Sequence, residues 1–262
     1  MVEDKGYEKS AHLYDLFDKK ENIPFFHHFA QQAGKILDIG AGTGRIAIPL
    51  ARKGIKVVCV EPSPAMRKEF NKKIEKEPIL RKNITLIDDS AQSFQLQEQF
   101  PAAFLSGCFD HFLSDKERIT SLANINHHLQ RKGKLIFDIF IGLMTSTPLR
   151  LVDEIKREAG FEYKRYIGSK VQPRERIEIL LVYKIYKNGE LVETIEQKST
   201  ASKISREKVH QLLNETGFVV LKEYQDYQFQ PFEEGNNLLI IEAEKKGETT
   251  KKQNNSSMTV QR

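Results

Sequence analysis

A cluster of glycines follows a short apolar run near the start of this chain. Residues 35–39 (KILDI) lead into residues 38–44 (DIGAGTG), and a helix is predicted from about 45 to 53. Glycine permits a sharp turn and lets a ligand approach the backbone closely. A helix that begins at such a turn presents unpaired N–H groups to an anionic part of the ligand. Five candidate binding residues come from this loop: Asp38, Gly40, Ala41, Gly42 and Gly44.

A carboxylate follows the glycine loop at a useful distance. Glu61 ends the next apolar run, residues 56–60 (KVVCV), seventeen residues after Gly44. At the end of a strand beside the loop, its side chain could accept hydrogen bonds from both hydroxyls of a ribose. Pro62 and Met66 follow Glu61 at a distance where apolar side chains could flank an adenine ring. The pattern therefore predicts a site for an adenosine-containing cofactor.

Two kinds of cofactor use this geometry, NAD and S-adenosylmethionine. A dinucleotide fingerprint requires G-x-G-x-x-G, whose third glycine packs the helix against the strand. Arg45 stands at that position here, and Gly44 falls one residue early. Asp38 would repel a pyrophosphate but suits a cofactor that carries an amine and a sulfonium. The loop therefore favours S-adenosylmethionine, with NAD, or a glycine turn that binds nothing, as the alternatives.

Residues 36–66 (ILDIGAGTGRIAIPLARKGIKVVCVEPSPAM) resemble the first two motifs of class I S-adenosylmethionine-dependent methyltransferases, and the likeness extends from residue 7 to about 245. The resemblance implies that residues 40–44 surround the methionine part of the cofactor and that Glu61 holds its ribose. It also implies contacts from a tyrosine in an N-terminal helical lid, from the polar segment after the third strand, and from the end of the fourth strand. These residues are Tyr14, Asp89, Ser90, Ala91 and Ser106.

The segment after the fourth predicted strand also offers groups for the methyl acceptor. Methyl transfer is an in-line displacement, so positioning can supply much of the rate, about 7–11 kcal/mol in well-oriented cases. His111 could accept a proton from an amine or hydroxyl near neutral pH, with Asp110 beside it. The alternative is that Asp110 and His111 only cap or line a loop. No carboxylate set resembles a metal site, so we predict no metal.

Strand and helix patterns alternate from residue 34 onwards, which indicates an α/β fold: a Rossmann-like, doubly wound, mostly parallel sheet of seven strands. The alternation is broken by strand-like runs on either side of Asn188-Gly189, a strong hairpin signal. An antiparallel β sub-structure is therefore inserted in the sheet. The predicted organisation is a helical lid (1–33), a cofactor-binding core (34–160), an inserted antiparallel roof over the acceptor (161–203), the rest of the core sheet (204–246) and a disordered tail (247–262).

Composition narrows the class of protein. Of 262 residues, 39% are hydrophobic, and no apolar run approaches the ~18 residues of a membrane helix. The net charge of +5 is not gathered into a basic stripe, so we expect neither a nucleic-acid nor a membrane partner. With two cysteines and no apolar leader in the sequence, we expect a cytoplasmic location.

The predicted function is S-adenosylmethionine-dependent methylation of a small molecule or short peptide natural product, at an amine. Nucleic-acid base methylation is disfavoured because no Asn-Pro-Pro-Tyr or Asp-Pro-Pro-Tyr motif occurs. Within the small-molecule branch, the aromatic lid together with Asp110 and Asp138 resembles the plantazolicin-type N-methyltransferases of peptide natural products. The alternatives are an NAD-dependent oxidoreductase and a catalytically silent S-adenosylmethionine-binding protein.

Overall fold

Eleven strands and six α-helices make up the computed structural model, which describes residues 7–247. In chain order, the strands are β1 Lys35–Ile39, β2 Lys56–Val60, β3 Ile84–Ile87, β4 Phe100–Leu105, β5 Leu129–Phe140, β6 Thr147–Lys156, β7 Phe161–Gln172, β8 Arg176–Lys187, β9 Glu190–Ser202, β10 Phe218–Tyr224 and β11 Leu238–Lys245. The helices are α1 Ile23–Ala33, α2 Ala47–Arg52, α3 Pro64–Ile74, α4 Pro78–Asn83, α5 Asp115–His127 and α6 Arg206–Glu215. Short 3₁₀ helices cover Tyr7–Lys9, Ala11–Phe17, Phe109–His111 and Glu158–Gly160.

Seven strands form the main sheet in the order β10-β11-β5-β4-β1-β2-β3. The pairs β1–β2, β1–β4, β2–β3 and β4–β5 are parallel, whereas β11 is antiparallel to both β5 and β10. The predicted seven-stranded, mostly parallel sheet is confirmed. The strand order reverses at β1, and in open α/β sheets ligands bind at the carboxyl ends of strands beside such a switch point.

Both faces of the main sheet are covered, which explains why its central strands β1, β2 and β4 are mostly apolar and buried. One hydrophobic cluster contains Phe94, Phe109 and Phe137, and the other contains Phe25, Phe26 and Phe70. All six side chains are completely buried. Parallel strands and helices therefore present their ends, rather than their faces, to a ligand.

Two element boundaries differ from the sequence-based prediction. Strand β5 begins at Leu129, ahead of the apolar run at residues 135–140, because Leu129 pairs with Phe100 across an irregular stretch that includes Lys132 at φ 61°. That stretch is polar and exposed, so its residues resemble a loop in the sequence. The short helix α4 was not predicted; it starts at Pro78, and proline is favoured in the first turn of a helix.

The inserted antiparallel sheet has the order β6-β7-β8-β9. It begins at Thr147, before the boundary at residue 161 that the sequence predicts, because β6 is an edge strand with few buried residues and therefore lacks a clear alternating pattern. The Asn188-Gly189 turn joins β8 to β9 as predicted, and both residues have positive φ. Tyr183 and Ile195 on the insert pack against Leu13 of the N-terminal 3₁₀ helix.

Candidate functional site

A cavity of about 410 Å³ opens at the carboxyl ends of β1, β2 and β4, within the range of about 300–1,000 Å³ typical of small-molecule sites. Twelve of the fifteen predicted site residues line it: Tyr14, Asp38, Gly40, Ala41, Gly42, Glu61, Pro62, Met66, Ser90, Ala91, Ser106 and His111. Gly44, Asp89 and Asp110 are not among the lining residues. The structure thus brings together most of the residues that the motifs indicated.

Glu61 links the two loops that form the floor of the cavity. Its Oε2 accepts a hydrogen bond from Gly42 N at 2.8 Å, and its Oε1 accepts one from Ser63 N at 2.8 Å. The side chain is 6% exposed and lines the cavity. Its carboxylate therefore sets the position of the glycine loop. That it also accepts hydrogen bonds from ribose hydroxyls stays a prediction.

Asp38 supplies a buried acid to the same cavity. It is 2% exposed, and its Oδ2 has no hydrogen-bond partner among the described residues. Burial raises the pKa of Asp38 to about 7; the positive charge of Arg45 opposes this, and the Glu61 carboxylate adds to it. A buried carboxylate oxygen without a partner is costly unless a ligand satisfies it. The residues present therefore fit a cofactor that carries an ammonium group.

The raised pKa of Asp38 predicts a pH-dependent affinity for S-adenosylhomocysteine. At about pH 6 the side chain is mostly protonated, and binding an ammonium requires the carboxylate, so binding should release a proton. The apparent affinity should rise by up to about tenfold between about pH 6 and about pH 7.5, as the competent fraction grows. Calorimetry across this range measures the effect. In Asp38→Asn the affinity should be weaker and flat with pH, and the same slope in that variant would contradict the assignment.

The N-terminal 3₁₀ helix that carries Tyr14 is fastened to the glycine loop. Asp15 Oδ1 accepts a hydrogen bond from Thr43 Oγ1 at 2.5 Å, and Lys73 pairs with Asp15 Oδ2 while donating to Thr43 O at 2.7 Å. Tyr14 stands edge-to-face with Tyr7, with ring centroids 6.4 Å apart. These contacts hold the 3₁₀ helix against the glycine loop, and the Tyr14 and Tyr7 side chains line the cavity.

Gly44, for which contact with the ligand is predicted, is not among the cavity-lining residues and packs against α3. Its φ is +86°, and a Cβ there would lie 2.3 Å from Phe70 of α3. We expect Gly44→Ala to lose more stability than Gly54→Ala, which has the same φ of +86° but no neighbour within 4 Å. The left-handed backbone costs each variant about 1–2 kcal/mol, and overpacking should add about 1–3 kcal/mol only in Gly44→Ala. Urea unfolding compares the two variants, and equal losses would contradict the packing role.

Asp89, which is predicted to bind the cofactor, organises a turn beside the cavity and is not among its lining residues. Its Oδ1 accepts hydrogen bonds from Ser90 N at 2.7 Å and from the Ser93 hydroxyl. Ser90, Ala91 and Gln92 line the cavity instead. The Asp89 side chain therefore stabilises the turn that precedes the cavity-lining residues 90–92.

Asp110, for which a catalytic role is predicted, is not among the residues that line the cavity. Its Oδ2 accepts a hydrogen bond from Phe140 N at 3.4 Å, and burial raises its pKa to about 7. His111, the next residue, does line the cavity. Its Nδ1 lies 3.0 Å from the carbonyl oxygen of Thr200 on β9. A carbonyl only accepts, so Nδ1 carries the hydrogen, and neutral His111 has its lone pair on Nε2.

Several lining residues were not among the predicted site residues: Tyr7, Arg45, Ser63, Gln92, Cys108, Leu113 and Glu117. Arg45 and Ser63 are direct neighbours of the predicted motifs, so extending each motif by one or two residues would have found them. Glu117 lies in the first turn of α5, and its Oε2 accepts a hydrogen bond from Leu113 N at 2.6 Å. No group of three or more potential metal ligands occurs in residues 7–247.

Comparison with known proteins connects this geometry to a family. Residues 36–133 match the family model described as a methyltransferase domain. An uncharacterized methyltransferase of Bacillus mycoides (strain KBAB4) is 27% identical over 142 residues. That match covers 50% of this chain, and it spans 64% of the length of the relative.

Solved structures share the fold over most of the chain. The CcbJ methyltransferase from Streptomyces caelestis superposes with a TM-score of 0.78 at 17% identity, covering 93% of this chain and 99% of that one. CalS10 with bound S-adenosylmethionine, an amino pentose methyltransferase from Micromonospora echinaspora involved in calicheamicin biosynthesis, gives a TM-score of 0.70 at 17% identity, covering 90% and 95%. At these identities the likeness shows a common fold.

The family match, the sheet order and the cavity define one class of protein. Residues 36–133 match a methyltransferase domain, and the chain shares its fold with solved methyltransferases, one of which has S-adenosylmethionine bound. The resemblance seen in the sequence is confirmed at this level. Within the described residues, no helix is long and apolar enough to cross a membrane.

Proposed function

We propose that this protein transfers the methyl group of S-adenosylmethionine to an amine of a small molecule or short peptide natural product. One observation carries the proposal: the glycine loop, Glu61, His111 and Glu117 all line the same cavity. The space beside His111 and Glu117 is where an acceptor can meet the cofactor. The likeness in fold to CalS10, an amino pentose methyltransferase, supports an acceptor that carries an amine.

Asp38 and Glu61 would hold the ammonium and ribose of S-adenosylmethionine, which would supply a methyl group on a sulfonium for transfer to the acceptor nitrogen. Glu117 places negative charge at the acceptor side, which suits a cationic amine. His111 Nε2 can accept a hydrogen bond from the acceptor and orient it. The acceptor nitrogen attacks only as the neutral amine, and its proton can pass to water.

We also propose a cytoplasmic location. The absence of a disulfide between Cys59 and Cys108 is consistent with it.

The proposal is tested by supplying S-adenosylmethionine with a panel of amino sugars, aliphatic amines and peptides that have a free N-terminus. Formation of S-adenosylhomocysteine should accompany a gain of one methyl group on the nitrogen of an acceptor. A gain on oxygen or carbon would contradict N-methylation. Cofactor binding without any turnover would favour the catalytically silent alternative.

His111→Ala should reduce turnover by no more than about tenfold, because positioning supplies most of the rate and the leaving group is already activated. The rate should still rise with pH through the slightly alkaline range, as more of the acceptor amine loses its proton. His127→Ala, which removes an exposed histidine outside the cavity, is the matched control. A loss of about 10²–10⁴-fold in His111→Ala, with cofactor binding intact, would instead make His111 an obligatory base.

A further inference from the structure

Arg45 brings a positive charge into the cavity, at the position where a dinucleotide fingerprint would have glycine. Its Nη2 donates a hydrogen bond to Ser106 Oγ at 3.3 Å. A Cβ built on Gly107 would lie 3.7 Å from the same nitrogen, so the guanidinium lies against the turn after β4. Among residues 7–247, Arg45 forms no ion pair. Its charge is therefore available to a ligand.

A buried hydrogen-bond network lies behind this guanidinium. Asp138, which is 5% exposed, accepts hydrogen bonds from Ser106 Oγ at 2.5 Å, Gly107 N at 2.6 Å and Tyr227 OH at 3.0 Å. Ser106 in turn accepts from Arg45. The network therefore runs from the loop after β10, through the end of β5, to the wall of the cavity.

The two charged groups at this end of the cavity are complementary to an amino acid. Arg45 is close enough to Asp38 and Tyr14 that its charge lowers the pKa of both, opposing the effect of burial. An α-amino acid group carries an ammonium, which a carboxylate recognises, and a carboxylate, which a guanidinium recognises through two parallel N–H donors. The cavity offers Asp38 for the first and Arg45 for the second.

We propose that Arg45 binds the α-carboxylate of the cofactor's amino-acid part, and that Asp138 and Tyr227 are positioning residues that hold Ser106 and Arg45 in place. This inference rests on the proposed function, and it identifies the residue that binds the carboxylate end of the cofactor. Arg45 and Tyr14 share the carboxylate, while Asp38 holds the ammonium.

The test compares S-adenosylmethionine with decarboxylated S-adenosylmethionine, which keeps the ammonium and lacks the carboxylate. Arg45→Met retains the aliphatic stem without the charge. Its affinity for S-adenosylmethionine should fall about tenfold to a hundredfold, as expected for a charge-assisted hydrogen bond, and its affinity for the decarboxylated compound should not change. Asp38→Asn should weaken the binding of both compounds.

Tyr227→Phe tests the positioning role against a close control in the same region. Tyr224 OH also donates to a buried carboxylate, Glu242, at 3.0 Å, but that pair is outside the cavity. Tyr227→Phe should lower the affinity for S-adenosylmethionine about threefold to tenfold and leave the affinity for the decarboxylated compound unchanged. Tyr224→Phe should leave the affinity for both compounds unchanged, while urea unfolding reports any stability that either variant loses.

Failure of this inference is distinguishable from failure of the proposed function. If the unaltered protein binds neither compound, the cofactor assignment itself is wrong. If the unaltered protein binds both, and Arg45→Met weakens both equally or neither, Arg45 does not read the carboxylate. If Tyr227→Phe and Tyr224→Phe have the same effect on binding, the network is structural rather than positioning.

Discussion

Gly42→Val should abolish detectable binding of S-adenosylhomocysteine, a loss of at least about a hundredfold. Gly42 lines the cavity at φ +57°, and a Cβ there meets no atom within 4 Å. A valine side chain would therefore project into the space that the cofactor needs, where the close approach to the backbone depends on glycine. Calorimetric titration of the folded variant measures the loss.

Gly34→Val is the matched control for the backbone strain. Gly34 has φ +71°, and a Cβ there would also meet no atom within 4 Å, but this glycine ends α1 and is outside the cavity. Both variants should lose a similar amount of stability, about 1–2 kcal/mol, from the left-handed backbone. Only Gly42→Val should lose binding. Undiminished affinity in Gly42→Val would show that the cofactor does not pass over this loop.

Glu61→Ala should lower the affinity for S-adenosylhomocysteine by about a hundredfold or more. The ribose would lose two charge-assisted hydrogen bonds, each worth about 1.5–3 kcal/mol, and the backbone N–H groups of Gly42 and Ser63 would lose their acceptor. Glu61→Gln keeps the size and one acceptor oxygen, so it should be affected less. Full affinity in Glu61→Ala, measured on protein that unfolds cooperatively, would show that the ribose binds elsewhere.

The glycine loop and the strands around it were predictable because their signals are local. A buried parallel strand is continuously apolar, and β1 and β2 begin and end where the sequence indicates. Ser63 caps α3 by accepting from Met66 N, and Ser-Pro at that position is a local pattern. Most of the candidate residues that follow such signals within one or two positions therefore line the cavity.

What could not be predicted depends on contacts between distant parts of the chain. Asp38, Asp110 and Asp138 are all acidic residues near strand ends, yet only Asp38 lines the cavity, because the other two are held by Phe140 N and by the Tyr227 network. His128 follows a polar helix, yet it is 1% exposed and its Nε2 accepts a hydrogen bond from Leu96 N, which is 32 residues away in the sequence. The hydrophobic pattern of a single segment does not show which distant residue a buried polar side chain will bond to.

We expect the cavity to bind S-adenosylmethionine and not a dinucleotide. Titration of the full chain with S-adenosylhomocysteine and with NAD, read by calorimetry and by thermal unfolding, tests it most directly. S-adenosylhomocysteine at about 100 times its dissociation constant should stabilise the fold by about 2.7 kcal/mol, and NAD should have no comparable effect. Stabilisation by NAD, with none by S-adenosylhomocysteine, would contradict the account.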